Sequence, residues 1–340
     1  MSTSSRSRLS RTAWGVGIGT AGIVAGVSVA RRWMERRLPA PEALPPLLPF
    51  PTRAVEGPGG RVNLYVRDGV GTPIVLVHSF NAAASSHEMK PIAMHLARTT
   101  TRPVIAMDWL GFGRSARPDV SYTPDRYITQ LYRVLSDVVH EPADVIALSL
   151  GAEYAAQVTL QAAPLVRRLV LIAPTGLTAQ RGPSSVGTLM LAAAAQTGVF
   201  DLLFYRLTRR ASLRRFYERQ VFLDPSAIPN ALLDDAENTS HAKGAPQAPR
   251  RFVDGSLFLN DVANDVYTRL YRPTLLLTPA DPAPTIQRFD RLPDVLNANA
   301  RDLSHVALPG GLLPQYEVPE ALFDALDGFL QSTSAPVATT

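Results

Sequence analysis

Apolar residues follow two rhythms along this chain. Runs of four or five at 62–66, 73–77, 104–107, 144–148, 169–172, 274–278 and 305–308 have the length of buried strands. Between them, 125–139, 151–161 and 319–330 repeat apolar positions at i, i+3 and i+4, the period of a helix with one buried face. Strands alternating with helices predict an α/β fold, a mostly parallel sheet flanked by helices. From Gly176 to about Asp261 the alternation stops and the chain reads as several helices, 205–220 among them. This predicts an inserted helical cap at 178–262, which splits the core into 53–177 and 263–332. The tail at 333–340 is small and polar.

The N-terminal segment fits neither rhythm. Residues 12–30 hold no charge in 19 positions. As a helix at ~1.5 Å per residue they reach ~28 Å, close to a ~30 Å hydrocarbon core. This predicts an N-terminal transmembrane helix, the centre of a 1–37 membrane anchor with basic flanks. Gly15, Gly19, Gly22 and Gly26 form small-xxx-small pairs through which two such helices would make a homodimer, or else they only weaken the span. A cleaved signal peptide ending at Ser28-Val29-Ala30 is the competing reading, opposed by Arg31 and Arg32. Three arginines before the span and four after it turn the domain to the cytoplasmic side. Six prolines between 39 and 51 predict that 38–52 is an extended linker, holding the domain off the membrane.

Charge separates the same two parts. The chain is formally +5, but seven arginines and one glutamate lie in residues 1–37, which leaves −1 on everything after. A folded part with that balance disfavours nucleic acid as a partner. Cysteine is absent, which removes disulfides, thiol nucleophiles and Cys-based metal sites, and no histidine pair has zinc-ligand spacing. No cofactor and no metal are predicted. In the cap, Arg209, Arg210, Arg214 and Arg215 share a segment with Leu203, Phe204, Leu213 and Phe216. That segment is either a solvated amphipathic helix on the core or a surface resting on anionic headgroups.

The chemistry centres on 144–151. Ser149 stands at the turn from a strand into a helix, between the small residues Ala147 and Gly151. Such a corner aims a hydroxyl at a helix N-terminus, where free N–H groups stabilise an anion. Its plainer reading is a helix cap. Three further blocks occur in order: Val75-Leu-Val-His78-Ser79-Phe80, Asp108-Trp-Leu-Gly111-Phe-Gly113-Arg-Ser115, and Pro273-Thr-Leu-Leu-Leu-Thr-Pro-Ala-Asp281. With these four blocks the chain resembles the α/β-hydrolase superfamily over 53–331. The resemblance implies Ser149 as nucleophile, Asp281 as triad acid, and the Phe80 and Leu150 N–H groups as oxyanion hole.

The chain departs from that pattern twice. Ser79 replaces the usual glycine of the oxyanion loop, and its side chain either crowds the pocket or adds a hydroxyl to it. Leu312 stands where the family carries its catalytic histidine, in Gly311-Leu312-Leu313-Pro314-Gln315-Tyr316-Glu317. Without an imidazole nothing there accepts the serine proton, a loss worth several orders of magnitude in rate. His305 follows Asp281 but opens the last strand, ~20 Å from the far rim at ~3.3 Å per residue. It would qualify only if the strand were 295–300. His78 is structural in the resemblance, His87 reads as a surface or capping group, and His95, His140 and His241 read as ordinary helix or loop residues. Two functions follow. One is a membrane-anchored serine hydrolase of an ester or other acyl substrate. The other is a degenerate member that binds an apolar ligand or a protein partner, in a pocket lined by Leu312, Phe80 and the cap.

Overall fold

The computed structural model describes residues 33, 35–57, 59–178, 199–280, 287–299 and 302–332. Eight strands form one sheet in the order β1-β2-β4-β3-β5-β6-β7-β8. These are β1 (Thr52–Gly57), β2 (Gly60–Arg67), β3 (Ile74–Val77), β4 (Val104–Met107), β5 (Ala143–Leu148), β6 (Val166–Ile172), β7 (Thr274–Pro279) and β8 (Leu303–Leu308). β1 and β2 pair antiparallel at one edge, and β4 through β8 run parallel. Every residue of β3, β4 and β5 is buried, which is why these strands read as unbroken apolar runs. Alternate residues feed two separate cores: Val75 and Val77 join one, Ile74 and Leu76 the other.

Helices cover both faces. They are α1 (Lys90–Thr99), α2 (Pro124–Val134), α3 (Leu150–Gln161) and, after β7, α9 (Leu292–Ala298), α10 (Pro314–Glu317) and α11 (Pro319–Gln331). The predicted helix at 125–139 is α2 continued by a wider turn over Leu135–Val139, which His140 closes at φ 63°. Between β6 and β7 lies an insertion whose described residues form helices α4 (Val199–Leu207), α5 (Arg210–Gln220), α6 (Asn230–Ser240), α7 (Gln247–Val253) and α8 (Val262–Asp265). The helix predicted over 205–220 is two helices, because Arg209 is extended at φ −68°, ψ 148°.

Two expectations need revision. The edge strand β1 went unpredicted because Thr52-Arg-Ala-Val-Glu-Gly is mostly exposed and lacks an apolar run. The 38–52 stretch is not an extended spacer. Leu44, Leu47 and Leu48 are buried, and the Arg114 guanidinium donates to the Leu44 and Glu42 carbonyls. Prolines there shape a turn that packs on the sheet. Among the described residues no helix is long and apolar enough to cross a membrane, and the 12–30 segment with its glycines lies outside the described residues.

Burial of Leu48 gives the first prediction. Leu48→Ala should lower unfolding stability by about 2–4 kcal/mol in urea titrations, as for a buried core leucine. An unchanged midpoint would restore the spacer reading.

Candidate active site

β5 delivers Ser149 to the carboxyl edge of the sheet, and α3 begins at the next residue. The whole reversal therefore falls on Ser149, at φ 55°, ψ −122°, a region that residues other than glycine rarely enter. Its N–H donates to the Ile172 carbonyl of β6 at 2.9 Å, which ties the corner to the neighbouring strand. The first turn of α3 passes so close to the next loop that a Cβ on Gly151 would sit 2.5 Å from the His78 carbonyl oxygen. Only glycine fits there. The Ser149 side chain is half-buried, and its Oγ accepts a hydrogen bond from Gln287 Nε2 at 2.9 Å.

The loop after β3 supplies the second wall. The Phe80 ring is clasped by Tyr127, Phe112, Tyr154 and Trp109, with centroids 4.7 to 5.4 Å away. These contacts fix the loop by its side chain and leave its backbone free to act. Among the described residues neither the Phe80 nor the Leu150 N–H has a hydrogen-bond partner, so both donors are available to a developing oxyanion. Ser79 neither crowds this space nor lends it a hydroxyl. Its O–H donates to Glu88 Oε1 at 2.9 Å and its N–H to Glu88 Oε2 at 3.0 Å, while Asn81 Nδ2 donates to Oε1 at 2.8 Å. Glu88 is fully buried, and desolvation pushes its carboxyl up to about 7 despite these donors.

Asp108 organises the same loop from behind. It accepts from the Ser86 N–H at 2.9 Å, the Arg114 N–H at 2.9 Å and Asn63 Nδ2 at 3.2 Å. A Cβ on Gly113, at φ 50°, would strike its carboxylate at 2.2 Å, so the second glycine of that turn makes room for the anion. The block matched to the family's turn is thus a brace for residues 78–86.

Among the described residues no histidine contacts Ser149. His78 is buried, accepts from the Trp109 N–H through Nε2 at 3.1 Å, and so donates Nδ1–H to the Ser79 carbonyl at 2.7 Å. Burial pulls it down to about 4 and keeps it neutral. His87, expected at the surface, is fully buried with Nδ1 2.6 Å from Ser85 Oγ, and burial pulls it down to about 3. His95 lies 2.9 Å from the Asp327 carboxylate, and His241 bridges the Glu237 and Tyr205 carbonyls. His305 sits within β8 opposite Leu276, with Nε2 2.9 Å from Thr278 Oγ1. The alternative strand at 295–300 is excluded, since 292–298 is the helix α9.

Leu312 is held away from solvent by the cap. Its N–H donates to the Val221 carbonyl at 2.7 Å, and its side chain belongs to the buried cluster of Leu213, Tyr217 and Phe222. Phe80 belongs to the other buried cluster. Asp281 lies outside the described residues. Two residues before it β7 ends at Pro279, and the Ala280 N–H donates to the Leu308 carbonyl at 2.7 Å. Gln287 was missed because a glutamine in a loop carries no pattern. Glu88 was missed because the sequence does not show that its acid is buried.

Glu88 generates a prediction with a definite sign. Its folded value lies above the ordinary 4.5, so the native state holds the proton longer than the unfolded chain. Its contribution to stability is then complete below about pH 4.5 and is lost as pH rises through about 7, by on the order of 3 kcal/mol at most. Urea titrations at pH 5 and pH 8 should show that loss in the wild type and a clearly smaller one in Glu88→Gln. Equal slopes would contradict it.

With this geometry in place, similarity to known proteins is informative. A sequence profile described as the alpha/beta hydrolase family matches residues 74–325. The 2-hydroxy-6-oxo-6-(2'-aminophenyl)hexa-2,4-dienoic acid hydrolase of Metapseudomonas resinovorans is 34% identical over 124 residues, covering 36% of this chain and 42% of the relative. The 2-hydroxymuconate semialdehyde hydrolase of Pseudomonas sp. strain CF600 is 33% identical over 128 residues, covering 37% and 44%. The chain thus spans less than half the length of these curated relatives. Among solved structures, an alpha/beta hydrolase from Nostoc sp. PCC 7120 superposes with TM-score 0.65 at 20% identity, covering 83% of this chain and 98% of that one. A thermophilic esterase from Thermogutta terrifontis gives 0.64 at 18%, with the same coverage. Both are alike in fold.

Proposed function

The chain belongs to the alpha/beta hydrolase family, and on that premise we propose that it cleaves an ester or other acyl substrate by attack of Ser149. The observation that carries this reading is the strained corner at Ser149, beside two N–H groups without a hydrogen-bond partner among the described residues. Strain at a half-buried hydroxyl is retained where geometry serves chemistry. Ser149 Oγ adds to the acyl carbon, the Phe80 and Leu150 N–H groups hold the oxyanion, and the alkoxide or equivalent leaves. Water then releases the acyl group from Ser149. Asp281, just beyond β7, is the acid we assign. The curated relatives are hydrolases of dienoic acids and semialdehydes by name, which supports a small acyl or keto-acid substrate. We further read 12–30 as a membrane anchor, with the folded domain on the cytoplasmic side and the glycines as a pairing face.

An amide on Oγ cannot take the serine proton as an imidazole would. The proton then passes to hydroxide from solvent, which makes acylation slow and dependent on alkali. Labelling by a fluorophosphonate probe should be weak at pH 6, rise about tenfold per pH unit towards pH 9 without a plateau, and vanish in Ser149→Ala. A plateau near pH 7 would reveal a buried imidazole base. Gln287→His, which sets an imidazole beside Oγ, should accelerate labelling at pH 7 at least tenfold. Leu312→His should gain less, since that backbone is tied to Val221. The second reading, a binder of an apolar ligand or protein partner without turnover, is favoured by the Gln287 hydrogen bond that occupies Oγ. It replaces the first if folded protein takes no label between pH 6 and 9.

A further inference from the structure

Helix α4 carries apolar residues on its inner face and on part of its outer face. Phe200, Phe204 and Tyr205 face inward with Ala245 and Leu38, whereas Val199, Leu203 and Leu207 stand 43%, 38% and 48% exposed. These three recur at i, i+4 and i+8, so they form one stripe. Its one carboxylate, Asp201, is buried against Arg250 and does not reach that face. A helix with this composition is ordinarily enclosed, and an open apolar stripe on a folded domain marks a surface that something covers.

The chain itself says what covers it. Leu38 packs against Phe200, Phe204 and Tyr205, and the Lys243 N–H donates to the Pro39 carbonyl at 2.9 Å. The N-terminal arm therefore leaves the fold at α4. Five residues earlier Trp33 is 58% exposed, with the Arg37 guanidinium 3.8 Å above its ring. Immediately before it come Arg31, Arg32 and the uncharged 12–30 stretch. At most ~17 Å of extended chain separates Leu38 from Trp33. An exposed tryptophan flanked by arginines at the end of an apolar segment suits the headgroup layer. The cations on this side match an anionic surface: Arg206 shares the exposed face, Arg209 follows it, and neither has an ion pair among the described residues. Arg210 and Arg214 are engaged along the surface, with Asp234 and Asn230, and Arg215 with the Ala211 carbonyl.

We propose that the outer face of α4, Val199, Leu203 and Leu207 with Arg206 and Arg209, rests on the anionic surface of the bilayer that holds the N-terminal segment, so that the cap faces the membrane. The proposal rests on the anchor reading of 12–30 and adds to it an orientation: substrate reaches the cap from the lipid side. Two contact points fix the domain, where a single span would leave it free to tumble.

The absence of cysteine makes a clean test, because Leu203→Cys, Leu207→Cys and Val70→Cys each carry one environment-sensitive label. Val70 is 81% exposed in the turn before β3, at the end of the sheet away from the cap. The full chain is reconstituted into phosphatidylcholine vesicles containing phosphatidylglycerol. Labels at 203 and 207 should brighten several-fold and be quenched by spin-labelled acyl chains, while the label at 70 is quenched by iodide alone. Arg206→Glu with Arg209→Glu should reverse the effect at 203 without releasing the protein from vesicles. If vesicle-bound protein shows iodide quenching at 203 equal to that at 70, the docking face is wrong and the anchor stands. Failure to associate with vesicles overturns both. Disulfide pairing between two copies through Cys at 203, with or without lipid, would assign the stripe to a second chain and overturn the bilayer.

Discussion

At Ser149 the backbone makes a left-handed step that a side-chain-bearing residue accepts only at a cost of about 1–3 kcal/mol. Much of the surrounding structure follows from holding that step. The strand before it is buried on both faces, the helix after it must start at once, and the Gly151 Cα is pressed against the His78 carbonyl. Because β5 lies at the middle of the sheet, between β3 and β6, the corner is clamped from both sides. The same closeness sets the 78–80 peptides beside the helix N-terminus, where unpaired N–H groups collect. The Ser149 hydroxyl and the Phe80 and Leu150 N–H groups, to which we assign nucleophile and oxyanion donors, are thus brought together by one tight turn.

The loop after β3, to which we assign the oxyanion donor Phe80, is stiffened by two unlike devices. On one side an aromatic cluster around Phe80 locks it by packing, and on the other Glu88 and Asp108 hold its peptides by hydrogen bonds. Two buried carboxylates so close to a site raise the stakes of every donor around them, since an unsatisfied charge in a dry interior is costly. Ser79 belongs to this scaffold: its hydroxyl completes the shell of Glu88, which accounts for a serine where glycine is customary in the family.

Strands flanked by buried faces were legible from residue order alone, because a parallel strand must be apolar throughout. The polar edge strand β1 was not, since pairing on one side only leaves no apolar signature. Prolines in 38–52 promised an extended spacer, yet Leu44, Leu47 and Leu48 among them are the residues that bind it to the sheet. Proline fixes φ and does not dictate whether its neighbours are buried. At the site, the corner at Ser149 was legible because a strand-to-helix reversal demands small flanking residues, whereas Phe80 and Leu150 were named only through the family resemblance. Gln287 was not legible, since it reaches Oγ through a loop contact at a separation of 138 residues. His87 and Glu88, adjacent and polar, look like a solvated turn and prove to be buried, for their partners Ser85, Asn81 and Ser79 lie on the folded-back loop.

We propose Ser149 as a nucleophile beside the Phe80 and Leu150 N–H groups, although the Gln287 amide touches its oxygen. A crystal structure of protein treated with a phosphonylating inhibitor at alkaline pH tests it most directly. The account predicts phosphorus bonded to Ser149 Oγ, with the phosphonyl oxygen about 3 Å from both the Phe80 and Leu150 nitrogens. Density for an unmodified Ser149 still bound to Gln287, or an adduct whose oxygen points away from those nitrogens, would contradict it.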